Sequence, residues 1–143
     1  MIYLDTSFLT PLFREEATSQ KVADYLSRQV AGNLAVSKGA SVEFASLTSR
    51  DVRMGMITAA QGKKLIEEFD SLVAESLVVL LPSANDFDLA QEYVSNFAAQ
   101  LRGPDALHLA VAHNNGMEFI ATLDAGMISA AKKLKIPARR VIR

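Results

Sequence analysis

Short apolar runs recur along the chain, at residues 1–5, 34–37, 77–81 and 119–122, and each is separated from the next by segments of helical period. A strand with one wet face alternates apolar and polar residues. These runs do not alternate, so both of their faces must be covered. The arrangement that covers both faces of several strands is a parallel sheet with helices packed on each side, and an α/β chain follows. We therefore expect a three-layer α/β/α sandwich around a central parallel sheet of four to five strands.

The segments between the runs support this reading. Residues 6–14 open a short helix in which Pro11 must occupy the first turn or bend the axis. In residues 17–30, Val22, Ala23, Leu26 and Val30 recur at helical spacing, and Gly32-Asn33 ends the helix. Helices are expected over 39–54, with Val42, Ala45, Leu47 and Val52 among its apolar positions, and over 58–75. Pro82 stops the run at 77–81, which reads as a strand buried on both faces. A helix over 86–101 places Leu89, Tyr93 and Phe97 at intervals of four, with acids at 86 and 88 favouring its start. The next helix, 104–114, is apolar almost all round and must lie centrally. A helix over 125–134 and a last strand near 139–142 complete the alternation.

With 143 residues and half of them hydrophobic, the chain reads as one domain, 1–143, large enough to bury roughly 70% of its unfolded surface. It contains no cysteine. Disulfides, thiolate metal sites and a cysteine nucleophile are thereby excluded, in keeping with a reducing compartment. No apolar stretch reaches the length of a membrane span, and the first 13 residues carry no basic residue, so a cytoplasmic location is expected. The formal net charge of −1 hides an uneven distribution. Six basic residues and no acid lie between Lys132 and Arg143, which leaves 9 basic residues of the 15 against 16 acids elsewhere. Such a basic segment can follow a phosphate backbone or simply form a solvated helix and strand.

In an open parallel sheet the carboxyl ends of the strands share one edge, where ligands bind as the strand order reverses. Four acids map to that edge. Asp5 ends the first strand, Glu43 follows the second, Asp105 opens the central helix, and Asp124 follows the fourth. Each alone suits a helix cap or first turn. Together they make a candidate site, whereas Asp51, Asp70 and Glu75 read as solvated. Clustered carboxylates repel one another unless a cation intervenes, and an all-oxygen set selects Mg²⁺ or Mn²⁺. Such an ion suits phosphodiester hydrolysis. Thr6, Ser7 and Thr122 flank the acids and are divided between capping and orienting them. His108 and His113 do not have the spacing of a paired-histidine metal site and read as structural. Arg102, before the Gly103-Pro104 break, can neutralise these acids, meet an RNA phosphate or a protein partner, or simply lie at the surface.

The motifs Tyr3-Leu4-Asp5-Thr6-Ser7, Ser41-Val42-Glu43-Phe44, Asp105-Ala106-Leu107-His108-Leu109-Ala110 and Thr122-Leu123-Asp124, in this order, resemble those of PIN domains, and specifically the ribonuclease toxins of VapBC-type toxin–antitoxin pairs. The resemblance covers nearly the full length. It implies a PIN-like fold and a metal-dependent endoribonuclease with Asp5, Glu43, Asp105 and Asp124 as catalytic and metal-binding residues, supported by Ser7 or Thr122. It also implies a homodimer and a cognate antitoxin that occupies the cleft.

Two other classes of function stay open on the sequence. A PIN-like module that holds RNA or protein without cutting is one, and a PIN ribonuclease outside any toxin pair is another. An aspartyl phosphatase built on Asp5 is disfavoured, because Ser7 stands where a second acid is needed.

Overall fold

In the computed structural model, which describes residues 1–143, the first strand to be made is the central one. β1 (Ile2–Leu4), β2 (Leu34–Ser37), β3 (Val78–Leu80), β4 (Phe119–Ala121) and β5 (Ala138–Arg139) form one sheet in the order β3-β2-β1-β4-β5, and every pairing is parallel. The chain builds outward from β1 on one side, then returns to build outward on the other. The order thus reverses between β1 and β4, which is where a parallel sheet opens a crevice at its carboxyl edge.

Seven α-helices cover the two faces. They are α1 (Thr6–Leu9), α2 (Ser19–Ser27), α3 (Gly39–Arg53), α4 (Ala59–Ser76), α5 (Ala84–Ser95), α6 (Gly103–Asn114) and α7 (Ala125–Lys133), with 3₁₀ turns at Thr10–Leu12 and Phe97–Ala99. Alternation along β1 divides the core. Ile2 and Leu4 face one layer with Phe8, Val22, Phe44 and Phe69, while Tyr3 faces the other with Leu109, Val111, Met127 and Ala131. In the first layer Phe44 and Phe69 stack with ring centroids 4.3 Å apart, joining α3 to α4. Those helices also approach at Gly62, where a Cβ would stand 2.9 Å from Val52 Cγ2. No helix is long and apolar enough to cross a membrane.

Several expected boundaries shift, each for a local reason. The helix expected over 86–101 starts at a capping box in which the Ser83 hydroxyl and Asp86 carboxylate exchange bonds with each other's amides. It ends at Asn96 (φ −80°, ψ 86°), and Gln100 is left-handed, so Phe97 falls off the helical stripe and is exposed. Val30 and Val42 are likewise exposed. The first helical segment gives way at Leu9 to a 3₁₀ turn with Pro11 in its first turn. Residues 28–30 fall outside α2, and β5 ends at Arg139. β3 is half-buried because it is an edge strand, not a strand covered on both faces. Asp51 is buried rather than solvated, with Arg14 Nε 3.2 Å from its Oδ2.

Candidate active site

Strand-to-helix transitions at the carboxyl edge deliver the acids. Asp5 occupies the N-cap position of α1 with extended backbone, yet its side chain caps nothing. Its Oδ2 instead accepts from Ser7 Oγ at 2.7 Å and from Thr122 Oγ1 at 2.8 Å. Residues 5 and 122 directly follow the two strands on either side of the reversal in strand order, so the hydroxyl of one reaches the carboxylate of the other across the crevice. The Thr122 hydroxyl also accepts from the amide of Asp124 at 3.0 Å, and Ser7 Oγ accepts from the amide of Leu123. Ser7 and Thr122 therefore orient an acid; neither caps a helix.

Asp124 is divided. Its Oδ1 caps α7 through the amides of Gly126 (2.8 Å) and Met127 (3.3 Å), and its second oxygen is uncommitted. Glu43 sits in the second turn of α3, where Thr6 Oγ1 donates to its Oε1 at 3.1 Å and His108 Nε2 also contacts Oε1. Asp105 lies in the first turn of α6. Asp5, Glu43, Asp105 and Asp124 line one open cleft of about 500 Å³ together with Thr6, Ser7, Thr10, Glu16, Leu47 and Leu123. Arg102 is exposed at the N-cap position of α6 and does not line this cleft, and His113 lies at the opposite end of the same helix.

His108, a structural residue by its sequence context, is buried. It is also part of the site's hydrogen-bonding network. Nδ1 lies 2.5 Å from the Tyr3 hydroxyl, Nε2 contacts Glu43, and Nε2 stands 3.7 Å from Asp5 Oδ1. The sequence signal was available in the period of α6: residues 105 and 108 are three apart and share a face.

Electrostatics mark the cleft as over-supplied with negative charge. Burial raises the Asp105 carboxyl above its usual range, and the charges of Asp5 and Asp124 raise it further, against a smaller opposing pull from His108. No hydrogen bond offsets this. Burial also works against ionised Glu43, but the His108 and Thr6 bonds outweigh it and hold its carboxyl low. Burial alone would lower the His108 imidazole; its bond to Glu43 and the charges of Asp5, Glu43 and Asp105 raise it instead. No lysine or arginine pairs with any of the four acids.

This donor set is chemically suited to a hard divalent cation: all oxygen, more charge than one imidazole can balance, and at least two carboxylates with free oxygens. No three of these side chains converge closely enough to enclose an ion by themselves; Mg²⁺ usually keeps several waters and binds through one or two carboxylates. A larger hollow of about 600 Å³ adjoins the cleft, sharing Glu43 with it and reaching His108, but Val42, Phe87, Ala90, Val94 and Leu107 make its wall apolar. Chemistry, not size, identifies the acidic cleft as the candidate site.

Comparison with known proteins is consistent with this geometry. The model of the PIN domain matches residues 2–133. Among solved structures, VapC20 of Mycobacterium tuberculosis, described as a Sarcin-Ricin loop cleaving toxin, is similar at 17% identity with a TM-score of 0.73, covering 91% of this chain and 95% of that one. FitAcB of Neisseria gonorrhoeae is similar at 18% identity and a TM-score of 0.70, with 96% of each chain covered. VapBC-1 of nontypeable Haemophilus influenzae follows at 17% and 0.66, with 97% of each covered. At such identities the likeness is one of fold. No curated protein sequence matches significantly.

Proposed function

The chain belongs to the PIN domain family, and on that premise we propose that it is a divalent-metal-dependent endoribonuclease, the toxin of a toxin–antitoxin pair. The observation that carries this reading is the convergence of Asp5, Glu43, Asp105 and Asp124 on one cleft at the strand-order reversal, with no lysine or arginine to neutralise them.

Asp5, Asp105 and Asp124 would hold Mg²⁺ or Mn²⁺, with Glu43 completing the set directly or through water. When bound, the ion supplies positive charge for the carboxylates and for the charge that develops on a phosphodiester under attack. The protein's own contribution is orientation. Ser7 and Thr122 fix Asp5 Oδ2 and leave Oδ1 free of them. Thr6 and His108 occupy Glu43 Oε1, so Oε2 is the oxygen available to accept a proton from an attacking water. The α7 amides hold Asp124 by one oxygen only.

The toxin role rests on the company the fold keeps. Solved neighbours include a protein described as a toxin–antitoxin complex from Klebsiella pneumoniae and a VapBC2 from Rickettsia felis bound to a promoter DNA fragment. The apolar hollow beside Glu43, with Val42, Phe87 and Val94 exposed on its wall, supports a protein partner near the cleft, an antitoxin or the second copy of a homodimer. A cytoplasmic location accompanies this role.

Labelled total RNA incubated with the purified protein in Mn²⁺ or Mg²⁺, and in chelator, tests the reading by end mapping. Metal-dependent cuts that vanish in Asp5→Asn are expected. Undiminished cutting in chelator, or by Asp5→Asn, overturns it. Tight RNA binding without any cut would favour a non-cleaving PIN module.

A further inference from the structure

His108 is 3% exposed, yet both of its ring nitrogens meet polar atoms. Glu43 Oε1 already accepts from the Thr6 hydroxyl, and Nε2 meets the same oxygen, so the hydrogen in that contact belongs to the imidazole. In a neutral ring Nδ1 is then an acceptor, and the Tyr3 hydroxyl 2.5 Å away is its donor. The chain of bonds runs from the Tyr3 hydroxyl to Nδ1, and from Nε2–H to Glu43 Oε1. A doubly protonated ring keeps the same bond to Glu43, so this contact does not depend on the ring's charge.

Anchorage matters for this glutamate more than for the other acids. Glu43 has three side-chain torsions, sits on a helix at the mouth of an open cleft, and its side chain is 32% exposed. An unrestrained glutamate there would sample several rotamers, and ordering it costs conformational entropy. Tyr3 is on the central strand and fully buried, and His108 is buried on α6. Glu43 is thereby tied to two enclosed elements of the fold.

We propose that Tyr3 and His108 form a positioning pair that fixes one oxygen of Glu43 and presents the other to the cleft for RNA cleavage. The inference rests on the ribonuclease reading above. A histidine that merely packs would affect stability alone. A positioning histidine affects turnover, and a residue that restores its donor restores turnover.

The test compares His108→Leu, His108→Gln, Tyr3→Phe and the Tyr3→Phe/His108→Leu double variant with the parent chain. Measurements are kcat and KM on an RNA the parent cuts, Mn²⁺ affinity by calorimetry, and ¹⁵N NMR of the His108 ring at neutral pH without metal. His108→Leu should lower kcat or Mn²⁺ affinity about 10- to 100-fold with KM within about twofold, and His108→Gln should recover most of the loss. Tyr3→Phe should cost about fivefold and nothing further in the double variant. The NMR spectrum should show Nε2 protonated. Full kcat together with unchanged Mn²⁺ affinity in His108→Leu, additive losses in the double variant, or a bare Nε2 overturns the proposal. If the parent chain cuts no RNA, the ribonuclease reading fails by itself, and Mn²⁺ affinity with the ring spectrum still decides whether the pair holds Glu43. If His108→Leu does not fold, Tyr3→Phe and the spectrum decide.

Discussion

The Thr122 hydroxyl donates to Asp5 Oδ2 at 2.8 Å, joining residues 117 positions apart in the chain. Both are buried, and the same hydroxyl accepts from the Asp124 amide. Thr122→Val keeps the shape and removes both bonds. It should destabilise the protein by about 1–3 kcal/mol, seen as a lower urea midpoint at unchanged slope, whereas Thr122→Ser should restore most of that. An unchanged midpoint in Thr122→Val would mean that Asp5 is held by Ser7 alone.

Asp105 should behave in the opposite direction. Burial and then the charges of Asp5 and Asp124 raise its carboxyl, so the folded state binds its proton more tightly than the unfolded chain does. Its ionised form therefore costs stability above the usual carboxylate range, and that cost is relieved as pH falls through the raised value. Asp105→Asn should melt higher than the parent in chelator at pH 7 while losing cleavage. A lower melting temperature in chelator would show that the carboxylate is not repelled.

The Glu43–His108 pair sets a pH window. Glu43 is lowered, so its contribution is present above its usual 4.5 and is lost as pH falls through the folded value. His108 is raised, so its contribution is present below its usual 6.5 and is lost as pH rises through the elevated value. The pair stabilises most between those usual values. Metal-free unfolding followed against pH should show a maximum there that Glu43→Gln flattens, and coincident profiles for the two proteins would refute this.

Arg14 and Asp51 provide a control away from the cleft chemistry. Asp51 is buried and Arg14 is about a third exposed, with Nε 3.2 Å from the carboxylate. Arg14→Met strands a buried charge and should cost about 1–3 kcal/mol, less than a fully enclosed pair because solvent reaches the guanidinium. Chemical denaturation measures this; a cost indistinguishable from zero would place Asp51 in effective contact with water.

Much of the fold was legible because the unalternating strands left only one way to cover both faces. Asp5, Glu43, Asp105 and Asp124 were legible as a group because strand ends share an edge, although their individual duties were not. Asp124 does cap a helix, as a local reading allows, while Asp5 occupies a cap position and bonds elsewhere. Such differences depend on side-chain torsions and on partners from distant segments. The role of His108 is hidden in the sequence because an apolar helix supplies a sufficient local explanation for a buried imidazole, and only the approach of α3 and β1 brings Glu43 and Tyr3 to it. The burial of Asp51 is hidden for the same reason, its partner Arg14 lying 37 residues away.

The sheet order has a consequence in time. β1 is synthesised first but needs β4 on its second side, so during translation Asp5 precedes Thr122 and Asp124 out of the ribosome by more than a hundred residues. Long-range parallel pairing is slow to close. Until β4 docks, the nascent chain carries Asp5 and Glu43 without the other half of the cleft. The four-acid cleft is therefore complete only once β4 and Asp124 have left the ribosome.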